Sequence, residues 1–273
     1  MALPPLSITV LQSPLHWEDK DANLSMFGEK IKSLKGETEI VILPEMFTTG
    51  FSMKPEHFAE TMDGPTITWM KKLAAENVLI ITGSIMIEEG GSYFNRLLWV
   101  LPNGQVGTYD KRHCFAYAHE HEHYSPGNKR LIASVKGWKL NLMICYDLRF
   151  PVWARQSKPL PLLMTEPDEA PEYDVLIYVA NWPERRIYAW ESLLKARAIE
   201  NQCYVIGTNR IGKDGNGIEY NGRSMFIDPL GYVVKDAGGD EAAVEYSLSG
   251  ETLYDIRTKF PFLRDADHFR IGE

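Results

Sequence analysis

The chain has 273 residues, 44% of them hydrophobic, with 29 basic against 37 acidic side chains and a formal net charge of −8. That much apolar material supports a sizeable core, and the excess of acid argues against a general binder of nucleic acid or of anionic membrane surfaces, which would be repelled overall. Three cysteines, Cys114, Cys145 and Cys203, cannot all pair and match no zinc or disulfide framework, so a reducing compartment, the cytoplasm, is expected.

No basic stretch precedes the first apolar run (8–11), which is itself too short for a signal-peptide core, so no secretory leader is expected. No stretch approaches the roughly 20 apolar residues of a membrane span. Residues 7–12 read as a first strand. Asp21 is placed to cap a helix with Leu24, Phe27, Ile31 and Leu34 on one face and Gly36 as its stop. Residues 39–43 form a short buried strand. Asp63-Gly64-Pro65 opens a second helix, with Ile67, Met70 and Leu73 inward. Strands follow at 78–87, 93–101 and 105–109, the last two joined by a turn at Pro102-Asn103-Gly104.

The second half repeats this logic. Residues 139–144 are a strand, with a short helix after Pro151. Residues 157–171, with four prolines, read as a surface excursion. A continuous apolar strand spans 174–180, a helix 186–201 and a strand 203–207. Residues 223–228 and 231–235 form a hairpin about Pro229-Leu230. A last strand at 242–247 precedes a helix near 251–259. The order predicts an α/β fold of two mixed sheets packed face to face with helices outside. No linker or low-complexity tract divides the chain, so a single domain over 1–273 is expected.

Three strands end in chemistry. Val41-Ile42-Leu43-Pro44-Glu45 ends in a carboxylate, Thr108-Tyr109-Asp110-Lys111 in an ammonium, and Leu142-Met143-Ile144-Cys145 in a thiol. Ligand sites in α/β sheets gather where strands end. A carboxylate, an ammonium and a thiol suffice for nucleophilic attack on an amide. Taken singly each is weak: a cysteine after a buried strand is usually a small packed hydrophobe, and a lysine at a hairpin exit is usually a surface charge.

With their flanks they are specific. Leu43-Pro44-Glu45-Met46-Phe47, Tyr109-Asp110-Lys111-Arg112-His113 and Cys145-Tyr146-Asp147-Leu148-Arg149-Phe150-Pro151 resemble the three motifs of the nitrilase, or carbon–nitrogen hydrolase, superfamily. The resemblance continues through Ala180-Asn181-Trp182-Pro183, residues 195–201 and Gly207-Thr208-Asn209-Arg210, in order along nearly the whole chain. It implies a four-layer α-β-β-α sandwich, a homodimer, and a metal-free, cofactor-free Glu-Lys-Cys triad of Glu45, Lys111 and Cys145. It also implies that the backbone N–H of Tyr146 helps Lys111 to receive the oxyanion. The family carries a second glutamate six positions before a Pro-Gly. Counting back from Pro126-Gly127 gives Glu120, with Glu122 close enough to stay open.

Within the superfamily the chain resembles the ω-amidases of 2-oxo acids such as 2-oxoglutaramate. The residues that carry this are Arg112-His113-Cys114-Phe115, Glu120-His121-Glu122-His123-Tyr124 and Asn181-Trp182-Pro183. Such a substrate bears a carboxylate, which a pocket cation must face; Arg149 and Arg112 are both candidates. Phe47, Phe51, Tyr117 and Trp182 are candidates for the pocket wall, although core packing is the commoner use of an aromatic. His119, His121 and His123 alternate, and on an extended segment they would share one face and resemble a metal site; a polar loop is the other reading. Arg185-Arg186 reads as a solvated helix start. The alternatives to an ω-amidase are a nitrilase or N-carbamoyl amidase with the same triad, a non-catalytic binding protein on the same fold, and a metal-dependent hydrolase.

Overall fold

The computed structural model of the chain describes residues 2–34, 38–156, 171–267, 269 and 271. The expected helix stop at Gly36 and all of the proline-rich excursion except Pro171 lie outside the described residues. In chain order the first half gives β1 (Leu6–Gln12), α1 (Lys20–Ser33), β2 (Ile40–Ile42), α2 (Pro55–Phe58), α3 (Pro65–Asn77), β3 (Ile80–Glu89), β4 (Ser92–Val100) and β5 (Val106–Asp110). It is followed by α4 (Glu120–His123), β6 (Leu131–Val135), β7 (Trp138–Ile144), α5 (Pro151–Ala154), β8 (Val175–Ala180), α6 (Ile187–Asn201) and β9 (Tyr204–Asn209). The remainder is β10 (Ile211–Lys213), β11 (Glu219–Asn221), β12 (Met225–Ile227), β13 (Val233–Asp236), β14 (Ala242–Leu248) and α7 (Gly250–Lys259).

Local chemistry explains several boundaries. The cap of α1 is Asp19, whose carboxylate accepts the Ala22 N–H at 3.0 Å, and not Asp21. Asp21 instead sits in the first turn, where a negative charge still meets the positive end of the helix dipole. Pro65 opens α3 as expected, since a first-turn residue needs no N–H donor. Val78 closes that helix in the left-handed region at φ 51°, so β3 starts two residues later than the hydrophobic pattern suggests.

Twelve of the strands form two six-stranded mixed sheets, in the orders β14-β1-β2-β3-β4-β5 and β13-β12-β9-β8-β7-β6, and β10 pairs with β11 in a separate two-stranded ribbon. In the first, β1, β2 and β3 run parallel; in the second, β7, β8 and β9 do. Alternation along β1 and β2 assigns their two faces. Leu6, Ile8, Val10, Ile40 and Ile42 pack toward the second sheet, while Leu11 and Val41 join Phe27, Ile67 and Met70 under α1 and α3. β8 is buried along its whole length because α6 covers its other side with Trp190, Leu194 and Ala198. The layers are therefore helix, sheet, sheet, helix.

α6 lies close against β9 because Gly207 has no side chain: a Cβ there would come within 2.6 Å of both Leu194 and Trp190. β14 does not stay with its hairpin neighbours in the second sheet. It pairs antiparallel with β1, Leu248 opposite Leu6 and Ala242 opposite Gln12, so the chain's last strand ties the two sheets together. No helix among the described residues is long and apolar enough to cross a membrane.

Candidate active site

Four strand ends converge between the sheets. Glu45 follows β2, Lys111 follows β5, Cys145 follows β7 and Asn181 follows β8. Glu45 and Glu120 are wholly buried and Lys111 is 1% exposed, so their charges have little to meet but one another. Lys111 Nζ donates to Glu45 Oε1 at 2.9 Å and to both Glu120 oxygens at 3.0 and 2.9 Å. Burial works against the ammonium, but the Glu120 and Glu45 carboxylates outweigh it and hold the Lys111 pKa well above the usual lysine value. Burial also pushes Glu120 up, against the pull of Lys111. The Lys111 ammonium lies 5.1 Å from the centre of the Phe51 ring, which shields it on another side.

The backbone around Glu45 is clamped. Asn181 N–H donates to Glu45 Oε2 at 2.8 Å, and Asn181 Nδ2 donates to the Glu45 carbonyl at 2.6 Å. Asn95, on β4, donates through Nδ2 to Glu45 Oε1 at 2.8 Å and to Glu120 Oε1 at 3.3 Å. Each carboxylate is thus fixed by at least two donors before any ligand arrives. Glu120 reaches inward because 115–124 folds as two short helical turns, with the Phe115 N–H donating to Glu120 Oε2 at 2.5 Å. The loop then returns across the end of β5, where Gly127 N–H donates to the Lys111 carbonyl at 2.9 Å. A Cβ on Gly127 would lie 2.2 Å from the Asp110 carbonyl oxygen, so only glycine permits that crossing.

Cys145 sits at a sharp strand-to-turn elbow, with φ 42° in the left-handed region. A non-glycine residue held there costs about 1–3 kcal/mol, which the surrounding hydrogen bonds must offset. Asp147 supplies them. Its buried carboxylate accepts from Ile144 N–H at 3.0 Å and Tyr109 Oη at 2.7 Å, and from His113 N–H at 3.0 Å; it also pairs with His113 Nδ1 at 2.8 Å. One side chain therefore ties the Cys145 elbow to the strand end that carries Lys111. Asp147→Asn would turn one acceptor oxygen into a donor facing other donors. The expected result is a loss of about 3 kcal/mol of stability and a lowered Tm by thermal unfolding.

Burial pushes the Cys145 thiol well above its ordinary pKa, and the Glu45 carboxylate within its hydrogen-bonding reach pushes the same way; Lys111 opposes them. That balance favours the neutral thiol, next to the Glu45 carboxylate. The pocket before it encloses about 130 Å³ and is lined by Glu45, Lys111, Cys145, Tyr146, Asn181 and Trp182, with Phe51, Phe115, Tyr117, Arg149 and Arg186 around them.

A match to the family model "Carbon-nitrogen hydrolase" extends over residues 7–249. The chain belongs to the carbon–nitrogen hydrolase family. This hydrolase is 42% identical over 270 residues to the omega-amidase YafV of Escherichia coli strain K12, spanning 98% of this chain and all of that one. It is 30% identical over 262 residues to a 2-oxoglutaramate amidase of Bacillus subtilis strain 168, spanning 95% of this chain and 96% of the other. Its fold superposes with TM-score 0.94 on XC1258 of Xanthomonas campestris, a CN-hydrolase superfamily protein with an arsenic adduct in its active site. That pair is 41% identical and covers 99% of this chain and all of the other.

Other sequence expectations for the hydrolase divide. Glu120, and not the exposed Glu122, reaches Lys111; Glu122 pairs with His119 at 2.9 Å. Phe47 is a correction. It does not line the pocket but is wholly buried in the core beneath α1 and α3, with Phe27 edge-on at 5.7 Å. Its alternate neighbour on the path out of β2, Glu45, takes the site face instead. Arg112 turns away too. Its guanidinium stacks on Trp153 at 4.5 Å and donates to the Gly127 carbonyl at 3.4 Å, which makes it a loop anchor. His121 and His123 lie on a helical turn rather than an extended segment, so residues two apart point about 200° apart and share no face. Cys114 is half-buried, with its Sγ 3.6 Å from the Tyr124 carbonyl, and burial pushes it up to about 12; Cys203 is core.

Asn95 and Arg186 escaped the sequence reading. Asn95 had a signal: it shares a face of β4 with Leu97 and Trp99, so a polar side chain points at the apolar interior. Arg186 reads as solvent-facing from its helix start, yet it is half-buried and lines the pocket.

Proposed function

We propose that the hydrolase is an ω-amidase. It would cleave the ω-amide of a small dicarboxylic 2-oxo acid, of 2-oxoglutaramate or 2-oxosuccinamate type, to the dicarboxylic acid and ammonia. The observation that carries this reading is the buried Glu45–Lys111–Glu120 network set against a neutral Cys145 thiol, in a pocket whose outer wall bears arginines. The likeness to an omega-amidase and to a 2-oxoglutaramate amidase supports the choice among amides.

In this reading Glu45 takes the Cys145 proton as the sulfur attacks the amide carbon. The C–S bond forms and the carbonyl oxygen becomes an oxyanion, received by the Lys111 ammonium and the Tyr146 N–H. Collapse breaks the C–N bond, and Glu45 returns its proton to the departing ammonia. Glu45 then deprotonates a water that attacks the thioester, and the second collapse releases the acid and restores the thiol. Glu120 keeps Lys111 charged and in place. Arg149, whose guanidinium lies 5.2 Å above the Trp182 ring, takes the far carboxylate, with Tyr117 and Trp182 as walls. The chemistry calls for no cofactor, and free thiols at all three cysteines suit a reducing cytoplasm.

The test is a substrate panel on the purified protein. Ammonia release should favour 2-oxo acid ω-amides over glutamine and asparagine by about tenfold or more in kcat/KM, the value of one lost charge-assisted contact. Carbon dioxide from N-carbamoyl amino acids, or nitrile consumption, with no ammonia from short ω-amides would overturn the assignment.

A further inference from the structure

Arg149, Arg185 and Arg186 all border the pocket. Some arginines elsewhere in the chain are ion-paired: Arg96 with Asp110 and Glu89, Arg223 with Glu191 and Asp236. Among the described residues, Arg149 and Arg186 make no ion pair and donate no side-chain hydrogen bond. Each guanidinium instead rests over an aromatic pocket wall, Arg149 on Trp182 and Arg186 on Phe115, both at 5.2 Å. Neither guanidinium spends an N–H on a carboxylate or carbonyl among the described residues. In a chain of net charge −8, a cluster of cations without carboxylates is a local inversion of sign.

The two residues differ in setting. Arg149 and Arg185 are exposed, where water screens a charge; Arg186 is half-buried. Burial lowers the Arg186 pKa, Arg185 and Arg149 lower it further, and the Cys145 sulfur acts the other way. Arg186 and Cys145 line the same pocket, with Arg149 and Arg185 beside them. Arg186 also begins the first turn of α6, whose dipole favours negative charge at that end.

We propose that Arg186 is a specificity-determining residue of the site: it joins Arg149 in binding the carboxylate at the far end of the substrate and disfavours a cationic substituent beside it. The proposal rests on the ω-amidase reading and adds a basis for choosing 2-oxo over 2-amino acids. An ammonium next to that carboxylate, as in glutamine, would face Arg186 and Arg149 with no acidic partner, whereas a 2-oxo group presents an acceptor oxygen to the same guanidinium N–H groups. Half-burial and the Phe115 ring beneath its guanidinium select Arg186 over the exposed Arg185.

The test compares wild type, Arg186→Gln and Arg186→Lys with three amides: 2-oxoglutaramate, glutamine and uncharged butyramide, which lacks the carboxylate carbon of the other two. Arg186→Gln should raise KM for 2-oxoglutaramate about 10- to 100-fold, as expected on losing a charge-assisted hydrogen bond, with a much smaller change in kcat. It should leave KM for butyramide within about twofold, since that substrate never meets the guanidinium. Discrimination between 2-oxoglutaramate and glutamine should shrink. Arg186→Lys, which keeps the charge and loses the planar fork, should recover part of the affinity. Calorimetric binding of 2-oxoglutarate to wild type and Arg186→Gln gives a readout independent of turnover, and should weaken by a similar factor. Unchanged KM and unchanged 2-oxoglutarate binding in Arg186→Gln would overturn the proposal, as would an equal rise in KM for butyramide, which marks a structural role. A wild type that binds 2-oxoglutarate through Arg186 but turns over no 2-oxo acid amide would overturn the ω-amidase reading while leaving the anion site standing.

Discussion

Cys145→Ala should lower kcat for ammonia release by about 10⁴-fold or more, in line with loss of a nucleophile from a cooperating catalytic set. The folded state should hardly notice. Alanine accepts the elbow's φ of 42° as readily as cysteine does, and the Asp147 hydrogen bonds that enforce the elbow do not involve the sulfur. Thermal unfolding should therefore agree with wild type while activity is gone, and substrate binding should persist. Activity retained in the variant would remove the thioester route altogether. The same residue carries a pH signature. Because burial and Glu45 push the thiol pKa up, the thiolate fraction at neutral pH is small, and iodoacetamide labelling of Cys145 should keep accelerating as pH rises past 9. Glu45→Gln deletes one of the two causes. It should lower the thiol pKa and speed labelling at neutral pH even as turnover collapses for want of a base. A thiolate–ammonium ion pair at rest predicts the opposite for labelling, a plateau reached below neutrality.

How much of this was legible in the sequence depends on the kind of signal. The strand ends at Glu45, Lys111 and Cys145 were readable because a short apolar run that stops at a polar residue marks where a buried strand reaches a sheet edge. Glu120 was readable only by its distance from Pro126-Gly127, and the physical reason is in the loop: Gly127 crosses the end of β5 so closely that the chain from 115 to 127 has one way round Lys111. Phe47 was misassigned for the opposite reason. Two residues past Glu45 suggests the same face under strand alternation, but the strand ends at Ile42 and Met46 takes φ 43°, which sends Phe47 under the helices. The cap moved from Asp21 to Asp19 because either acid can cap and only the path of residues 13–19 decides between them. The destination of β14 was not legible at all: its alternation specifies an edge strand, and which of two similar sheets accepts it is a tertiary matter. Arg186 shows the limit most clearly. Consecutive arginines at a helix start read as solvated, and only the fold reveals that the second one closes a pocket.

Lys111→Met should show how the buried charges depend on one another. Methionine nearly fills the volume of lysine, so packing is kept and the loss is electrostatic. Glu45 and Glu120 would remain wholly buried, with Asn95 Nδ2 still bridging them but no counter-ion between. Breaking a buried pair by removing one partner costs about 3–5 kcal/mol, so the variant should unfold at markedly lower urea concentration at pH 7. The sign of the pH dependence follows from the carboxylates. Burial already raises the Glu120 pKa and Lys111 restrains that rise; without the lysine the folded pKa climbs further above the unfolded value. A carboxyl with a raised folded pKa favours folding while it is protonated, and that advantage is lost as pH rises from the ordinary glutamate range through the raised value. The stability gap between variant and wild type should therefore be small near pH 4 and widen toward neutrality. A gap independent of pH would mean that the lysine contributes packing alone. Ammonia release should fall about 10²- to 10³-fold through loss of the oxyanion's partner, even at a pH where the variant is folded. Adding Glu120→Gln should restore much of the stability, because it removes the second uncompensated charge, and none of the activity. Activity of the double variant equal to that of Lys111→Met would show that Glu120 serves the reaction only through the ammonium it holds; a further drop would show a role of its own.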